Sequence, residues 1–157
     1  MREYIHYGTS SFDIAKFKPI QNTERGYTKP RHGTGFWASP VDAKWGWKDW
    51  CESKDFRECK KENSFVFTLD PSARVKHLYS VDDVYELPGL ETAISSTWYV
   101  PDYEKLAKQY DAIEIHISDE VRDRWTEGLY YVLYGWDCDS ILIMNPYIIK
   151  EVKDEAA

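Results

Sequence analysis

Three short groups of residues carry the chemistry open to this chain. The first is His6-Tyr7-Gly8-Thr9. It offers an imidazole that can donate or accept, a glycine whose bare backbone lets a ligand come close, and a hydroxyl. At the end of a strand these residues suit a nucleotide clamp, and a lone histidine in the same place also reads as structural. The second group is Gly35-Phe36-Trp37-Ala38-Ser39, with two adjacent aromatics. An aromatic face can stack on a flat heterocycle. Successive strand side chains point to opposite faces, so only one of Phe36 and Trp37 can face a cleft, and the other belongs to the core. The third is Asp137-Cys138-Asp139-Ser140, which leads into the most apolar stretch of the chain. A carboxylate held at the mouth of a buried strand suits a charge stabiliser, and Asp and Ser equally suit a plain turn.

Other chemistries find less support. His32, His77 and His116 share no ligand spacing such as HExxH, and Cys51, Cys59 and Cys138 form no CxxC pair. The linear sequence therefore names no metal site. Cys138 alone lies near a candidate group, where it reads as a small buried hydrophobe rather than a nucleophile.

The elements that must hold these groups can be read from pattern. "EYIHYG" predicts an opening strand that ends at Gly8. Residues 18 to 35 carry no apolar period and predict either a mobile binding loop or a missed element. "GFWASP" predicts a strand running straight into a helix, with Ser39 as N-cap and Pro40 in the first turn. In that helix Ala43, Trp47, Trp50 and Cys51 make a core-facing stripe, and Trp45 falls off it. "SFVFTLD" and "ARVKHLYS" flank Pro71 and predict a strand pair or a bent strand. Ser80 and Asp83 form a capping box for a short helix through Leu87. Pro101 opens another helix, with Tyr103, Leu106, Ala107 and Tyr110 on one face. "AIEIHI" alternates as a half-buried strand with Glu114 and His116 on its polar side. "EGLYYVLYGW" is read as helix. "DSILIMN" is a buried strand, with "YIIKEV" expected at its side and residues 150 to 157 as a fraying tail. One α+β domain over residues 1 to 157 follows, mixed and mostly antiparallel.

Composition narrows the partners. The chain has 157 residues, 43% hydrophobic and 30% charged, enough for one packed core. Its net charge of −7 opposes general binding to a phosphate backbone. The basic run Arg57, Lys60 and Lys61 is offset by Glu58 and Glu62. No apolar stretch approaches a membrane span and the start lacks the pattern of a secretory signal. With three cysteines in no framework, a cytoplasmic location is expected.

In order, "YIHYGTS", "GFWASP" and "CDSILIMNP" resemble the ADP-ribosyltransferase superfamily over positions 4 to 149. Those domains have a His or Arg on the first strand, usually followed by Gly and a hydroxyl residue. They then have a strand with an aromatic or Ser-Thr-Ser motif ahead of a helix, and an acidic residue, usually Glu, starting a late strand. The resemblance implies a split, mostly antiparallel sheet with flanking helices, NAD as substrate in the cleft between its halves, and no metal. His6 would hydrogen-bond the adenosine ribose and Gly8 would hold the nicotinamide amide, within a binding segment that includes Tyr7 and Thr9. Phe36 or Trp37 would lie beside the nicotinamide, with Ser39 in the same segment, and Asp139 would take the acidic position. Asp139 is one methylene shorter than the usual Glu, about 1.5 Å. The implied activity is mono-ADP-ribosyl transfer, or NAD glycohydrolysis where there is no acceptor. The acceptor stays open between protein, nucleic acid and small molecule. Two other readings stand beside it. One is a nucleotide- or ADP-ribose-binding module without catalysis. The other is a small acidic intracellular interaction or inhibitor protein whose aromatic surface meets a basic partner.

Overall fold

The computed structural model describes residues 1–23, 28–90, 100–117 and 136–153. Among these residues seven strands form a mostly antiparallel sheet, with three short α-helices: β1 (Tyr4–Tyr7), β2 (Phe36–Pro40), α1 (Trp47–Lys54), β3 (Ser64–Leu69), β4 (Val75–Leu78), α2 (Val81–Tyr85), α3 (Tyr103–Gln109), β5 (Ala112–Ile115), β6 (Ser140–Ile143) and β7 (Ile149–Val152). The strand order is β4-β5-β6-β2-β1-β3-β7, and β4–β5 is the one parallel pair among them. The α+β class and the antiparallel character agree with the sequence pattern.

The sheet is two ladders with a narrow join. β1 and β2 pair only at Tyr4–Pro40 and Ile5–Ser39. Beyond that point β1 continues with β3 as far as Tyr7–Ser64, and β2 continues with β6 through Phe36–Ile143. One face carries α2 and α3, and Leu78, Val84, Tyr103, Leu106, Ile113 and Leu142 pack there. Among the described residues, the other face carries the 3-10 turn Pro146–Ile148 and no α-helix. Tyr4, Phe65, Phe67, Ile141, Ile143 and Ile148 pack against one another on it. Because both faces are covered, β5 and β6 are buried at every position. The expected polar side of "AIEIHI" is therefore interior, and Glu114 and His116 are buried with it.

Helix ends follow the local signals where a side chain can reach an orphan amide. Ser80 accepts from the Asp83 N–H, and the Asp83 carboxylate accepts from the Ser80 N–H. Asp102 accepts from the Lys105 N–H one residue after Pro101, and Tyr103 and Leu106 are fully buried as their spacing predicts. The first helix departs from expectation. Ser39 and Pro40 belong to β2, and α1 begins seven residues later at Trp47 behind Gly46. Ser39 Oγ still accepts from the Trp47 N–H at 3.0 Å, so it caps α1 from the neighbouring strand. With the start moved, only Cys51 of the predicted stripe is buried. Trp47 and Trp50 are half-buried and stack on each other at 5.2 Å, with Phe56 edge-on to both. Trp45, off that stripe, is half-buried, and its indole N–H donates to the Asp137 carbonyl.

Pairing partners differ from sequence proximity. β3 and β4 do not form a hairpin; β3 lies between β1 and β7, and β4 lies at the opposite edge beside β5. Likewise β7 pairs with β3 rather than with β6, and it keeps residues 150–152 in the sheet instead of a tail. Alternation fixes which face a strand buries but not which neighbour it meets. The stretch from 18 to 35 is irregular yet pinned where described. Asn22 accepts from the Tyr103 N–H and donates to Asp102, which ties it to the start of α3. Most of "EGLYYVLYGW" lies outside the described residues, and of it Trp136 is buried against Tyr103 and Trp37. Among the described residues, no helix is long and apolar enough to cross a membrane.

Candidate functional site

Where β1 and β2 part, His6 takes the place of a ladder bond. Its Nδ1 lies 2.6 Å from the Trp37 carbonyl oxygen. A carbonyl can only accept, so Nδ1 carries the proton and Nε2 is left with its lone pair. The ring stacks on Phe36 at 4.2 Å and leans on Phe65 at 5.6 Å. Burial lowers its pKa below the ordinary 6.5, against the raising effect of the Trp37 carbonyl, which keeps the imidazole neutral near pH 7. Nε2 is turned toward Gly8, where an added Cβ would sit 3.5 Å away. Gly8 has φ +128°, a conformation that favours glycine. Its N–H donates to Asn63, so a ligand there would meet its carbonyl side rather than its N–H. Tyr7 is half-buried, and Thr9 is exposed with its hydroxyl donating to the Ser11 carbonyl.

The two adjacent aromatics separate as strand geometry requires. Phe36 shares the face of His6, and Trp37 turns to the helical face against Trp136 at 4.7 Å. Ser39 is buried with its hydroxyl committed to α1, so it is a cap before it is a ligand group.

Asp139 is 5% exposed, one residue ahead of β6, and its N–H donates to the Trp45 carbonyl at 2.8 Å. Cys138 Sγ and Ser140 Oγ lie 3.3 Å apart on the side of Ser39. Asp139 itself lies in the bend ahead of β6, where strand alternation does not set the direction of a side chain. Burial pushes the Cys138 thiol up to about 11, so it is a neutral core residue at physiological pH, as its type suggests.

A second cluster, on the face that carries His6, was not legible in the sequence. His77 of β4, Glu114 of β5 and His116 just after β5 converge because β4 and β5 pair with His77 opposite Glu114. His77 Nδ1 lies 2.9 Å from His116 Nε2, and Glu114 Oε2 lies 3.0 Å from His116 Nε2 and 3.8 Å from His77 Nδ1. Tyr79 stacks on His116 at 4.2 Å. Glu114 is fully buried, its Oε1 accepts from the Tyr4 hydroxyl, and Arg2 Nη1 stands 3.1 Å from Oε2. None of the contacts to Oε2 is aligned as a hydrogen bond. Burial raises the Glu114 pKa, but His116, Tyr4 and the Arg2 charge outweigh it, and the net shift is downward. Strand alternation places Glu114 and His116 on one side of β5, and only the parallel partner β4 supplies the third group.

No family model, curated protein or solved structure matches this chain.

Proposed function

We propose that the chain binds NAD where β1 and β2 part and is an ADP-ribosyltransferase-like protein that passes ADP-ribose to an acceptor. The observation that carries this reading is the His6 arrangement. The imidazole is neutral, fixed by the Trp37 carbonyl and backed by Phe36, with Nε2 left to accept from a ribose hydroxyl. Such a group is preorganised, because neither its tautomer nor its tilt has to change when a ligand arrives.

Asp139 supports the chemical half of the reading. Continuing the β2–β6 register sets Asp139 opposite Pro40, at the joined end of β1 and β2 and two residues along from His6, so two strand spacings and that offset put their backbones about 12 Å apart. That separation suits a ligand with two riboses joined by a pyrophosphate better than a single nucleoside. In the reaction the bond from the ribose C1′ to nicotinamide breaks and nicotinamide leaves with the electron pair. An acceptor nucleophile or water then bonds to C1′ and releases its proton. Positive charge builds on the sugar meanwhile, and a nearby carboxylate stabilises it and grips the 2′-hydroxyl.

A binding module without catalysis is the second reading, favoured by the near-complete burial of the short Asp139 side chain. Titration with NAD followed by an assay for free nicotinamide separates the two. Binding with release supports the transferase, and binding without release supports the module. Absence of both defeats the nucleotide reading altogether.

A further inference from the structure

Glu114 Oε2 is a carboxylate oxygen in the core, close to three nitrogens and hydrogen-bonded to none of them. A buried acceptor without an aligned hydrogen bond is costly even beside positive charge. The two nearest ring nitrogens, His77 Nδ1 and His116 Nε2, point at each other across 2.9 Å. Two imidazoles and a carboxylate with their ligand atoms all within 4.8 Å of one another are a recognisable donor set.

We propose that His77 Nδ1, His116 Nε2 and Glu114 Oε2 form a binding site for a first-row divalent transition-metal cation of the Zn²⁺ type.

The spacing fits such an ion. Separations of 2.9, 3.0 and 3.8 Å define a triangle whose corners lie about 1.9 Å from its centre. An ion bonded at about 2.1 Å to all three would stand less than about 1 Å out of their plane. Three protein ligands leave a further position for water or another small ligand, the count found where zinc is reactive rather than purely structural. Softness argues the same way: nitrogen and oxygen donors without a thiolate suit zinc and its neighbours, and the two imidazoles disfavour Mg²⁺ or Ca²⁺. The ion would give Oε2 an aligned bond and replace the proton between the two rings, so binding releases a proton. His77 has a side chain 36% exposed and provides the approach from solvent. Arg2 competes for the same oxygen, and its side chain, 40% exposed, can swing away.

The test uses the full chain with Zn²⁺ and, as a spectroscopic probe, Co²⁺. The expected result is one Zn²⁺ retained per chain in competition with a chelator, a saturable rise in Tm, and visible Co²⁺ d–d bands without sulfur-to-cobalt charge transfer. His77→Ala, at a part-exposed position that should leave the fold intact, is expected to weaken Zn²⁺ binding by more than about 100-fold, since loss of an outer-shell partner alone costs 10- to 100-fold. Glu114→Gln should weaken it as well. Arg2→Ala should tighten it. The proposal is overturned if no ion is retained, if His77→Ala binds Zn²⁺ as the parent does, or if the Co²⁺ spectrum shows thiolate ligation by the cysteines instead.

Discussion

The Nδ1 of His6 and the carbonyl of Trp37, 2.6 Å apart, close the point at which the two ladders of the sheet separate. The side chain does the work of a backbone donor, and in doing so it fixes both its own tautomer and the edge of β2 that faces β1.

Burial of this imidazole, which outweighs the bond to Trp37, gives stability a pH dependence with a definite sign. The folded-state pKa of His6 lies below the ordinary 6.5, so the unfolded chain takes up the proton first as pH falls. Its contribution is complete above about pH 6.5 and declines as pH drops from there toward the folded pKa. His6→Gln should therefore lower stability at pH 7.5 and flatten the slope of urea midpoint against pH below 6.5. His77, also lowered chiefly by burial, leaves part of that slope in place. A variant with the parent's full slope would show that His6 is not the titrating group.

The proposed chemistry makes Asp139 separable from binding. Asp139→Asn keeps shape and removes charge, so nicotinamide release should fall by at least about 100-fold while the Kd for NAD changes only a few-fold. Asp139→Glu restores the longer acid usual in the resembling family and should raise release if reach is limiting. Equal losses of binding and release in Asp139→Asn would instead make Asp139 a structural residue.

Gly35 is expected to resist any side chain. It has φ +70°, and a Cβ there would sit 2.8 Å from both Ile20 Cδ1 and Leu142 Cδ1 and 3.3 Å from the Ile143 carbonyl. The two methyl ends can yield, but the backbone oxygen and the left-handed conformation cannot. Gly35→Ala should cost about 1 to 3 kcal/mol in denaturant unfolding, and a neutral result would mean that the turn before β2 can be rebuilt.

Two truncations in helices should differ. Leu106 is fully buried, so Leu106→Ala should cost about 2 to 5 kcal/mol. Trp50 is half-buried against Trp47 and Phe56. Trp50→Ala should remove a surface aromatic stack and cost about 1 to 2 kcal/mol. If Trp50→Ala proved the more damaging, the aromatic trio would be a core of its own.

What the sequence determined by itself was local. Period and caps located β1, β6, α2 and α3, because hydrophobic alternation and an Asp or Ser aimed at an orphan amide act within a few residues. The same rule, that adjacent strand residues face opposite ways, foretold that Phe36 and Trp37 would separate. Tertiary structure decided everything that depends on which strand meets which. Ser39 became a cap for a helix that starts eight residues on, and β3 and β4 went to different neighbours. Glu114, on the polar side of an alternating strand, was buried because the second face of β5 is covered too. His77 and His116 lie 39 residues apart, so no linear motif could hold them. They meet because a parallel β4–β5 pairing sets His77 opposite Glu114, and register between distant strands is chosen by the whole core rather than by either segment.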